Sequence, residues 1–230
     1  MPYYRRDGRL IHHVEIPKTG TKSIEALLIS HGWKKDLLLL DKMKSKNPGL
    51  GNLGNHAHYD LYGQLNVEPE FEFTTVRHPV SRWISTIYFL RSQWSKGLGG
   101  IPDQVPDPND IMPHHFITFM HSVFTRLIPE KGIHVEHNMY LQQFRFIGEK
   151  TKVFKIESGG FDSLLESLRS SDIIAEKSLL PKINASVDGN FDKKSPDWNY
   201  APQVSQYFCD FYKKDFEMFD YEMPEFKGKK

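Results

Sequence analysis

Short apolar runs alternate along the chain with longer segments in which apolar residues recur at helical spacing. Three of these runs are each followed by a turn and then by a helical pattern. The predicted strands are Leu10–Ile16, Phe71–Val76 and Lys152–Ile156, and the helices that follow them are Ser23–His31, Val80–Gln93 and Phe161–Leu168. Strands that alternate with helices predict an α/β fold, and right-handed crossovers favour a three-layer α/β/α sandwich with a central parallel sheet.

Two further segments have a distinct local character. Ser95–Pro113 is so rich in glycine and proline that we expect neither a helix nor a strand there, and we predict a long surface loop. Such a loop is either a flap that faces an acceptor or a plain mobile insertion. Pro202–Tyr221 carries aromatic residues at helical spacing, which indicates a helix that packs against the core.

The length and composition favour one globular domain over residues 1–230. A hydrophobic share of 39% is sufficient for a substantial core, and no apolar run is long enough for a membrane span. The net charge of +1 excludes a global field that attracts nucleic acid or lipid. An anion site therefore has to be a local cluster of basic residues.

Cysteine usage and the start of the chain bear on the cellular compartment. The single cysteine, Cys209, excludes an internal disulfide. The residues from Met1 to Leu10 are polar and basic, and no apolar signal-peptide core follows them. We therefore expect a reducing, cytoplasmic location, although a luminal protein without its leader would show the same features.

The first strand–helix junction has the composition of a phosphate-binding turn. Backbone N–H groups and the helix dipole favour an anion at such a junction. Lys18 adds a positive charge, Gly20 allows close approach of the backbone, and hydroxyl groups supply further donors. The candidate phosphate ligands are Pro17, Lys18, Thr19, Gly20, Thr21, Lys22 and Ser23.

This P-loop-like turn departs from the Walker A motif, which requires G-x-x-x-x-G-K-[ST]. Glu15 and Ile16 precede the turn here, and Thr21 follows the glycine. A kinase or NTPase is therefore the second hypothesis. The segment Pro17–Thr21 instead resembles the 5′-phosphosulfate loop of sulfotransferases that use 3′-phosphoadenosine 5′-phosphosulfate (PAPS), which has the form P-K-[ST]-G-T.

A second motif follows the second of these strands. Arg77–Ser85 has the pattern R-x-P-x-x-R-x-x-S and is similar to the 3′-phosphate motif of the same family, and the two motifs occur in the family's order. The resemblance implies that Arg77 and Ser85 hold the 3′-phosphate, with Arg82 as a supporting or structural charge. An arginine at a strand end also suits charge-assisted bonds to phosphate.

Weaker similarities point to the carbohydrate branch of the family, which includes heparan sulfate 2-O-sulfotransferase. His56–Tyr59 looks like its histidine-bearing segment, and His137–Phe146 looks like its histidine-to-glutamine stretch. Lys155–Glu157 resembles its strand that ends in glutamate, and Lys182–Ser186 resembles its asparagine-containing loop. The resemblance implies that Asn184 contacts the nucleotide.

Sulfuryl transfer needs a base for the acceptor hydroxyl and a cation for the leaving phosphate oxygen. His56 and His58 are the candidate bases, because an imidazole titrates near neutrality, and the sequence does not decide between them. Lys18 is the candidate cation. The expected co-substrate is PAPS, the expected product is PAP, and the expected acceptor is a hydroxyl on a carbohydrate, with a small molecule as an open alternative.

Plainer interpretations stay open for the same residues. Lys18 is then a surface lysine, Arg77 an ion-pair partner at a strand end, and Ser85 a serine bonded to its own helix. The 11 histidines show no HExxH spacing, so we predict no metal site. A third hypothesis is a non-catalytic homologue that binds PAP or a glycan.

Overall fold

The computed structural model describes residues 2–46, 65–94, 139, 141–157, 159–181, 183 and 202–224. The elements in chain order are β1 (Tyr3–Arg6), β2 (Arg9–His13), α1 (Thr21–Ser30), β3 (Lys34–Lys35), α2 (Leu37–Lys46), β4 (Phe71–Val76), α3 (Pro79–Trp94), a 3₁₀ helix (Gln143–Phe146), β5 (Lys152–Lys155), α4 (Gly160–Ser170) and α5 (Pro202–Met218). The loop predicted at Ser95–Pro113 lies outside the described residues.

The chain divides into two compact units, and each of them is formed by two separate stretches of sequence. The first unit contains Met1–Arg77 and Gly132–Val187, and the second contains His78–Lys131 and Asp188–Lys230. The sheet, α1, α2 and α4 belong to the first unit, whereas α3 and α5 belong to the second. A single domain over residues 1–230 stays a prediction.

The strands of the first unit form one mixed sheet in the order β3-β1-β2-β4-β5. β2, β4 and β5 run parallel, as the alternation of strands and helices predicts. β1 pairs antiparallel with both β2 and β3. The α/β content is therefore confirmed, but the sheet is mixed rather than parallel throughout.

The antiparallel pairing of β1 with β2 comes from a hairpin that is absent from the predicted elements. Asp7 and Gly8 join β1 to β2 with φ angles of 51° and 79°, and Arg6 pairs with Arg9 across this turn. An Asp-Gly pair is a strong signal for a tight hairpin, because both positions need positive φ. The polar character of the N-terminal residues conceals this signal, although Tyr3 and Tyr4 of β1 are buried.

The three predicted strand–helix successions are confirmed with shifted bounds. β4 has the predicted limits, whereas β2 ends at His13 instead of Ile16. α1 begins at Thr21 with Gly20 as its N-cap, so the helix starts inside the predicted phosphate-binding turn. The order of strand, turn and helix places this turn at the carboxyl end of β2.

One face of the sheet is covered by α1 and α4. The sheet contributes aromatic and aliphatic side chains from β1, β2 and β4, and the helices contribute leucine and isoleucine. Burial of this apolar surface is the main source of stability for the first unit. The buried cluster comprises Tyr4, Ile11, Ile24, Leu27, Leu28, Trp33, Phe71, Phe73, Leu164, Leu165, Leu168, Ile173 and Ile174.

A row of polar side chains crosses β1, β2 and β4. The His12 ring stacks on Tyr3 with centroids 4.1 Å apart, and its Nδ1 lies 2.8 Å from Glu72 Oε2. Thr151 donates a hydrogen bond to the other oxygen of Glu72. Burial lowers the pKa of His12, and the hydrogen bond with Glu72 opposes that shift. This histidine is thus a buried member of the sheet.

The second unit is held together by aromatic packing between α3 and α5. Trp83 packs against Phe208 with ring centroids 6.2 Å apart. Arg82 is buried, and burial lowers its pKa while the charges of Tyr212 and Asp215 raise it. The packing helix predicted over residues 202–221 is confirmed and ends at Met218. Arg82 is buried near two residues of this helix, which agrees with a structural role for its charge.

None of the helices in the described part of the chain has the length and hydropathy that a membrane crossing requires.

Candidate functional site

The turn between β2 and α1 is attached to β4 by backbone and threonine hydrogen bonds. Val14 N–H donates to the Phe73 carbonyl at 2.8 Å, which extends the pairing of β2 with β4 by one residue. Thr74 Oγ1 then donates to the Val14 carbonyl at 2.7 Å. The chain therefore leaves the sheet at a fixed point.

Thr19 and Thr75 fix the middle of the turn. Thr19 Oγ1 donates to the Ile16 carbonyl at 2.8 Å, and Thr75 Oγ1 donates to the Thr19 carbonyl at 2.7 Å. Both threonines are fully buried. The Thr19 hydroxyl, predicted as an anion donor, is thus used inside the turn, whereas Thr75 is a supporting residue that the sequence analysis missed.

Two residues of the turn have left-handed backbone conformations. Lys18 has φ 69° and Gly20 has φ 84°. A Cβ atom on Gly20 would lie 2.7 Å from Phe161 Cζ, so glycine is required by both conformation and space. A lysine in this region costs about 1–2 kcal/mol, and such strain is concentrated at functional sites.

The N-terminus of α1 has no side-chain cap. Ser23 and Ile24 N–H donate to the Gly20 carbonyl at 3.1 and 3.3 Å. Within the part of the chain that the structure describes, the N–H groups of Thr21 and Lys22 have no backbone acceptor, and the first turn contains no acidic residue. The helix dipole is therefore available to attract an anion.

Lys18 and Arg77 are close enough to repel each other. Lys18 is half-buried, and burial lowers its pKa to about 8, with a further contribution from the positive charge of Arg77. Glu15, which precedes the turn, is buried, and burial raises the pKa of its carboxyl group. The site thus places two cations close to each other, and the acid that precedes the turn is buried.

Arg77 follows β4 and is held by the side chain of Gln143. Gln143 Oε1 accepts from Arg77 N–H at 2.9 Å, and Gln143 Nε2 donates to the Arg77 carbonyl at 2.8 Å. The Arg77 guanidinium Nε lies 3.9 Å from Glu157 Oε1, and about a third of each side chain is exposed. No local pattern assigns Gln143 a role at this site, because the residue lies 66 positions from Arg77 along the chain.

Lys18, Arg77 and Glu157 follow three neighbouring parallel strands. Lys18 follows β2, Arg77 follows β4, and Glu157 follows β5. Ile156 N–H donates to the Val76 carbonyl at 3.1 Å and keeps β4 and β5 paired up to this edge. Ligands of α/β sheets bind at the carboxyl ends of parallel strands, so this edge is the candidate site.

Ser23 connects the start of α1 to Ile183. Its Oγ accepts from Ile183 N–H at 3.2 Å. Ile183 directly precedes Asn184, which itself lies outside the described residues. The Ser23 hydroxyl, predicted as an anion donor, is therefore used to bind the backbone of Ile183.

The remaining predicted site residues have different surroundings. Pro17 and Thr21 are buried, and Lys22 is exposed with its Nζ 2.8 Å from Glu25 Oε2. Ser85 is half-buried in α3 of the second unit. The candidate bases His56 and His58 lie outside the described residues.

Comparison with protein-family models, with curated proteins and with solved structures finds no match for this chain. Among the residues that the structure describes, no three His, Cys, Asp or Glu side chains are grouped to hold a metal ion. The chemistry available at this site is therefore that of the turn between β2 and α1, of Lys18 and of Arg77, which Thr75 and Gln143 hold in place.

Proposed function

We propose that the protein is a sulfotransferase that transfers the sulfuryl group of PAPS to a hydroxyl group of a carbohydrate acceptor. The observation that carries the proposal is the proximity of Lys18 and Arg77 at the carboxyl ends of two neighbouring parallel strands. Two cations that repel each other favour a ligand with several negative charges. The two phosphate motifs that begin at Pro17 and Arg77 give that ligand its proposed identity.

The turn between β2 and α1 suits the 5′-phosphosulfate end of the nucleotide. The uncapped N-terminus of α1 offers backbone N–H donors and the positive end of the helix dipole, and the Lys18 amine adds a full charge. The left-handed backbone at Lys18 and Gly20 shapes the turn around these groups. We therefore assign residues 17–23 as a P-loop-like phosphate-binding turn within a three-layer α/β/α domain.

The 3′-phosphate is assigned to Arg77 and, from the sequence motif, to Ser85, with Asn184 as a further nucleotide contact. Arg77 is suited to this role because its backbone is fixed on both sides by Gln143. A guanidinium forms paired, charge-assisted bonds with phosphate oxygens. A fixed arginine would therefore bind the 3′-phosphate without a large loss of conformational entropy.

In the proposed reaction, His56 or His58 accepts the proton of the acceptor hydroxyl as its oxygen forms a bond to sulfur. The bond between sulfur and the phosphate oxygen breaks, and its electron pair leaves on PAP. Lys18 stabilises the negative charge that develops on that oxygen. The products are a sulfate ester and PAP, and no metal is required.

Nucleotide binding gives the first test. PAP and ADP are isomers, so a calorimetric comparison of the two isolates the position of the second phosphate. We expect the protein to bind PAP about 10- to 100-fold more tightly than ADP, because one or two charge-assisted bonds contribute on the order of 1.5–3 kcal/mol. Equal affinities would refute the proposal.

Two variants test whether Arg77 is the residue responsible for the preference for PAP over ADP. Arg77→Ala should bring the two affinities close to one another, whereas Arg5→Ala, which removes an exposed arginine of β1, should leave the preference intact. Binding of ATP with ATP turnover and without PAP preference would instead support the kinase or NTPase hypothesis.

Transfer itself is tested with labelled PAPS and a panel of carbohydrates. We expect His56→Ala or His58→Ala to lower turnover by about 100-fold or more while PAP binding is retained. If neither substitution slows transfer, another group, such as His137 or a carboxylate, is the base. PAP binding without transfer to any acceptor would support the non-catalytic hypothesis.

A further inference from the structure

The Gln143 side chain contacts Arg77 in the way that a neighbouring strand would. Its amide forms two hydrogen bonds with one residue, to the N–H at 2.9 Å and to the carbonyl at 2.8 Å. Gln143 is fully buried, so the two bonds are shielded from water. A buried amide that satisfies both backbone groups of one residue is costly to replace, because each unpaired group costs about 1–3 kcal/mol.

The two hydrogen bonds from Gln143 hold the backbone at the point where the chain leaves β4. β4 ends at Val76, and the last backbone pairing with the β5 side is the bond from Ile156 N–H to the Val76 carbonyl. Arg77 is therefore the first residue beyond the strand. Two bonds to its backbone fix the peptide planes on both sides of its Cα, and with them the direction in which the side chain leaves the chain.

We propose that Gln143 is the positioning residue that directs the Arg77 guanidinium towards the 3′-phosphate of the nucleotide. The inference rests on the proposed function. Gln143 acts through Arg77 and supplies pre-organisation rather than charge. A misplacement of Arg77 by about 1 Å is sufficient to weaken charge-assisted bonding strongly.

The chemistry of glutamine explains why this residue type is needed. The site requires one donor and one acceptor side by side on the same planar group, and the glutamine amide supplies both without a change of protonation state. Methionine has a similar length but forms neither bond. Glutamate retains the acceptor, but its second ionised oxygen faces the Arg77 carbonyl and repels it.

The adjacent Gln142 provides a matched control. It is also largely buried, at 8% exposure, but its Oε1 accepts from Arg145 Nε at 2.7 Å. Substitution of either glutamine by methionine makes the same change in the same segment, because a thioether of similar length replaces the amide. Among the bonds between described residues, the two that hold the Arg77 backbone come from Gln143.

The experiment measures PAP and ADP affinities by calorimetry for the wild type, Gln143→Met and Gln142→Met. For Gln143→Met we expect the preference for PAP over ADP to fall about tenfold, with ADP affinity unchanged within about twofold. Gln142→Met should retain the wild-type preference. An unchanged preference in folded Gln143→Met overturns the inference and leaves the proposed function intact, whereas a wild type without PAP preference overturns both.

Gln143→Glu gives a second variant that does not depend on the stability of Gln143→Met. A protonated carboxyl group can accept from Arg77 N–H and donate to its carbonyl, as the amide does. We expect the preference for PAP to be low at pH 8 and to return towards the wild-type value measured at about pH 5, because burial raises the pKa of the introduced carboxyl. A preference that stays at the wild-type level at pH 8 would overturn the inference.

Discussion

Two groups of basic residues lie at opposite edges of the same sheet and have opposite surroundings. At the edge where β2 begins, Arg6 donates to the carbonyls of His31, Asp172 and Ile173, and its guanidinium lies 4.6 Å from the centroid of the Trp33 ring. The acceptors from 172 and 173 lie just beyond the C-cap of α4, Ser171, so the arginine is also near the negative end of that helix dipole.

At the carboxyl edge the positive charges are brought together. Lys18 lies near Arg77 and has its pKa lowered to about 8 by burial and by that neighbour. At the first edge, Arg6 joins β1 to the residues that follow α4. At the carboxyl edge, a bound anion would relieve the repulsion between Lys18 and Arg77. A cation that donates to several backbone carbonyls holds parts of the fold together, whereas cations that repel each other are typical of a ligand site.

The largest expected effect is on stability and comes from the first edge. We expect Arg6→Met to lower the free energy of unfolding by about 3 kcal/mol, because three carbonyls lose a charged donor. Urea denaturation measures this change. The exposed Arg5, paired with Asp36, provides the control, and Arg5→Met should cost less than about 1 kcal/mol. PAP affinity should be unchanged in both variants, and a loss of affinity in Arg6→Met would remove the contrast between the edges.

The second effect is on ligand binding and comes from Lys18. We expect Lys18→Met to weaken PAP and ADP alike by about 30-fold, or about 2 kcal/mol, because the amine serves the 5′ end that both ligands share. The free energy of unfolding should not decrease, since the repulsion with Arg77 is removed. Lys150, an exposed lysine paired with Glu68, supplies the comparison Lys150→Met, which should change neither quantity.

The third effect is a pH dependence of PAP binding. The pKa of Lys18 is about 8 in the free protein, and an anion beside it raises that pKa, so PAP binding takes up a proton above pH 8. We expect PAP affinity to fall about tenfold between about pH 8 and pH 9.5. Calorimetry in two buffers of different ionisation enthalpy measures the proton uptake, and Lys18→Arg should abolish it because arginine stays charged.

The same shift gives an opposite trend for stability without ligand. The folded pKa of about 8 lies below the ordinary lysine value of 10.5, so the unfolded chain binds more protons between these two pH values. The contribution of Lys18 to the free energy of unfolding therefore increases as the pH rises through this window. A Lys18→Met variant without this increase would confirm its origin.

The smallest expected effect comes from Glu157, the acid beside Arg77. Its carboxylate lies 3.9 Å from the Arg77 Nε and competes with a bound phosphate. We expect Glu157→Gln to raise PAP affinity by about threefold, a modest change because both side chains are partly exposed to solvent. Glu149→Gln, on an exposed turn, is the control. A fall in PAP affinity would show instead that Glu157 holds Arg77 in its binding orientation.

The sequence was sufficient to predict the elements whose signals are local. Apolar runs followed by Gly20 or by Pro79 indicated the strand–helix junctions, because hydrophobic periodicity and turn residues act over a few positions. The Asp7-Gly8 hairpin has an equally local signal. The three strand–helix successions without this hairpin predict a sheet that is parallel throughout, and the hairpin adds the antiparallel strand.

The supports of the candidate site were beyond sequence reasoning. Gln143 reaches Arg77 across 66 residues, and Thr75 binds the Thr19 carbonyl from a different strand. Such bonds depend on the tertiary arrangement, which no local pattern encodes. The left-handed conformation of Lys18 is also unpredictable, since lysine rarely adopts it and the surrounding bonds impose it.

The distance in sequence between Arg77 and Gln143 has a consequence for biosynthesis. When Arg77 leaves the ribosome, β2 and β4 are available to pair, but Gln143, β5 and Glu157 are still untranslated. The backbone of Arg77 acquires its partner only after 66 further residues have been added, and such late, non-local contacts slow folding. We therefore expect nascent chains that stall before residue 143 to expose an unfinished strand end, which makes them substrates for chaperones.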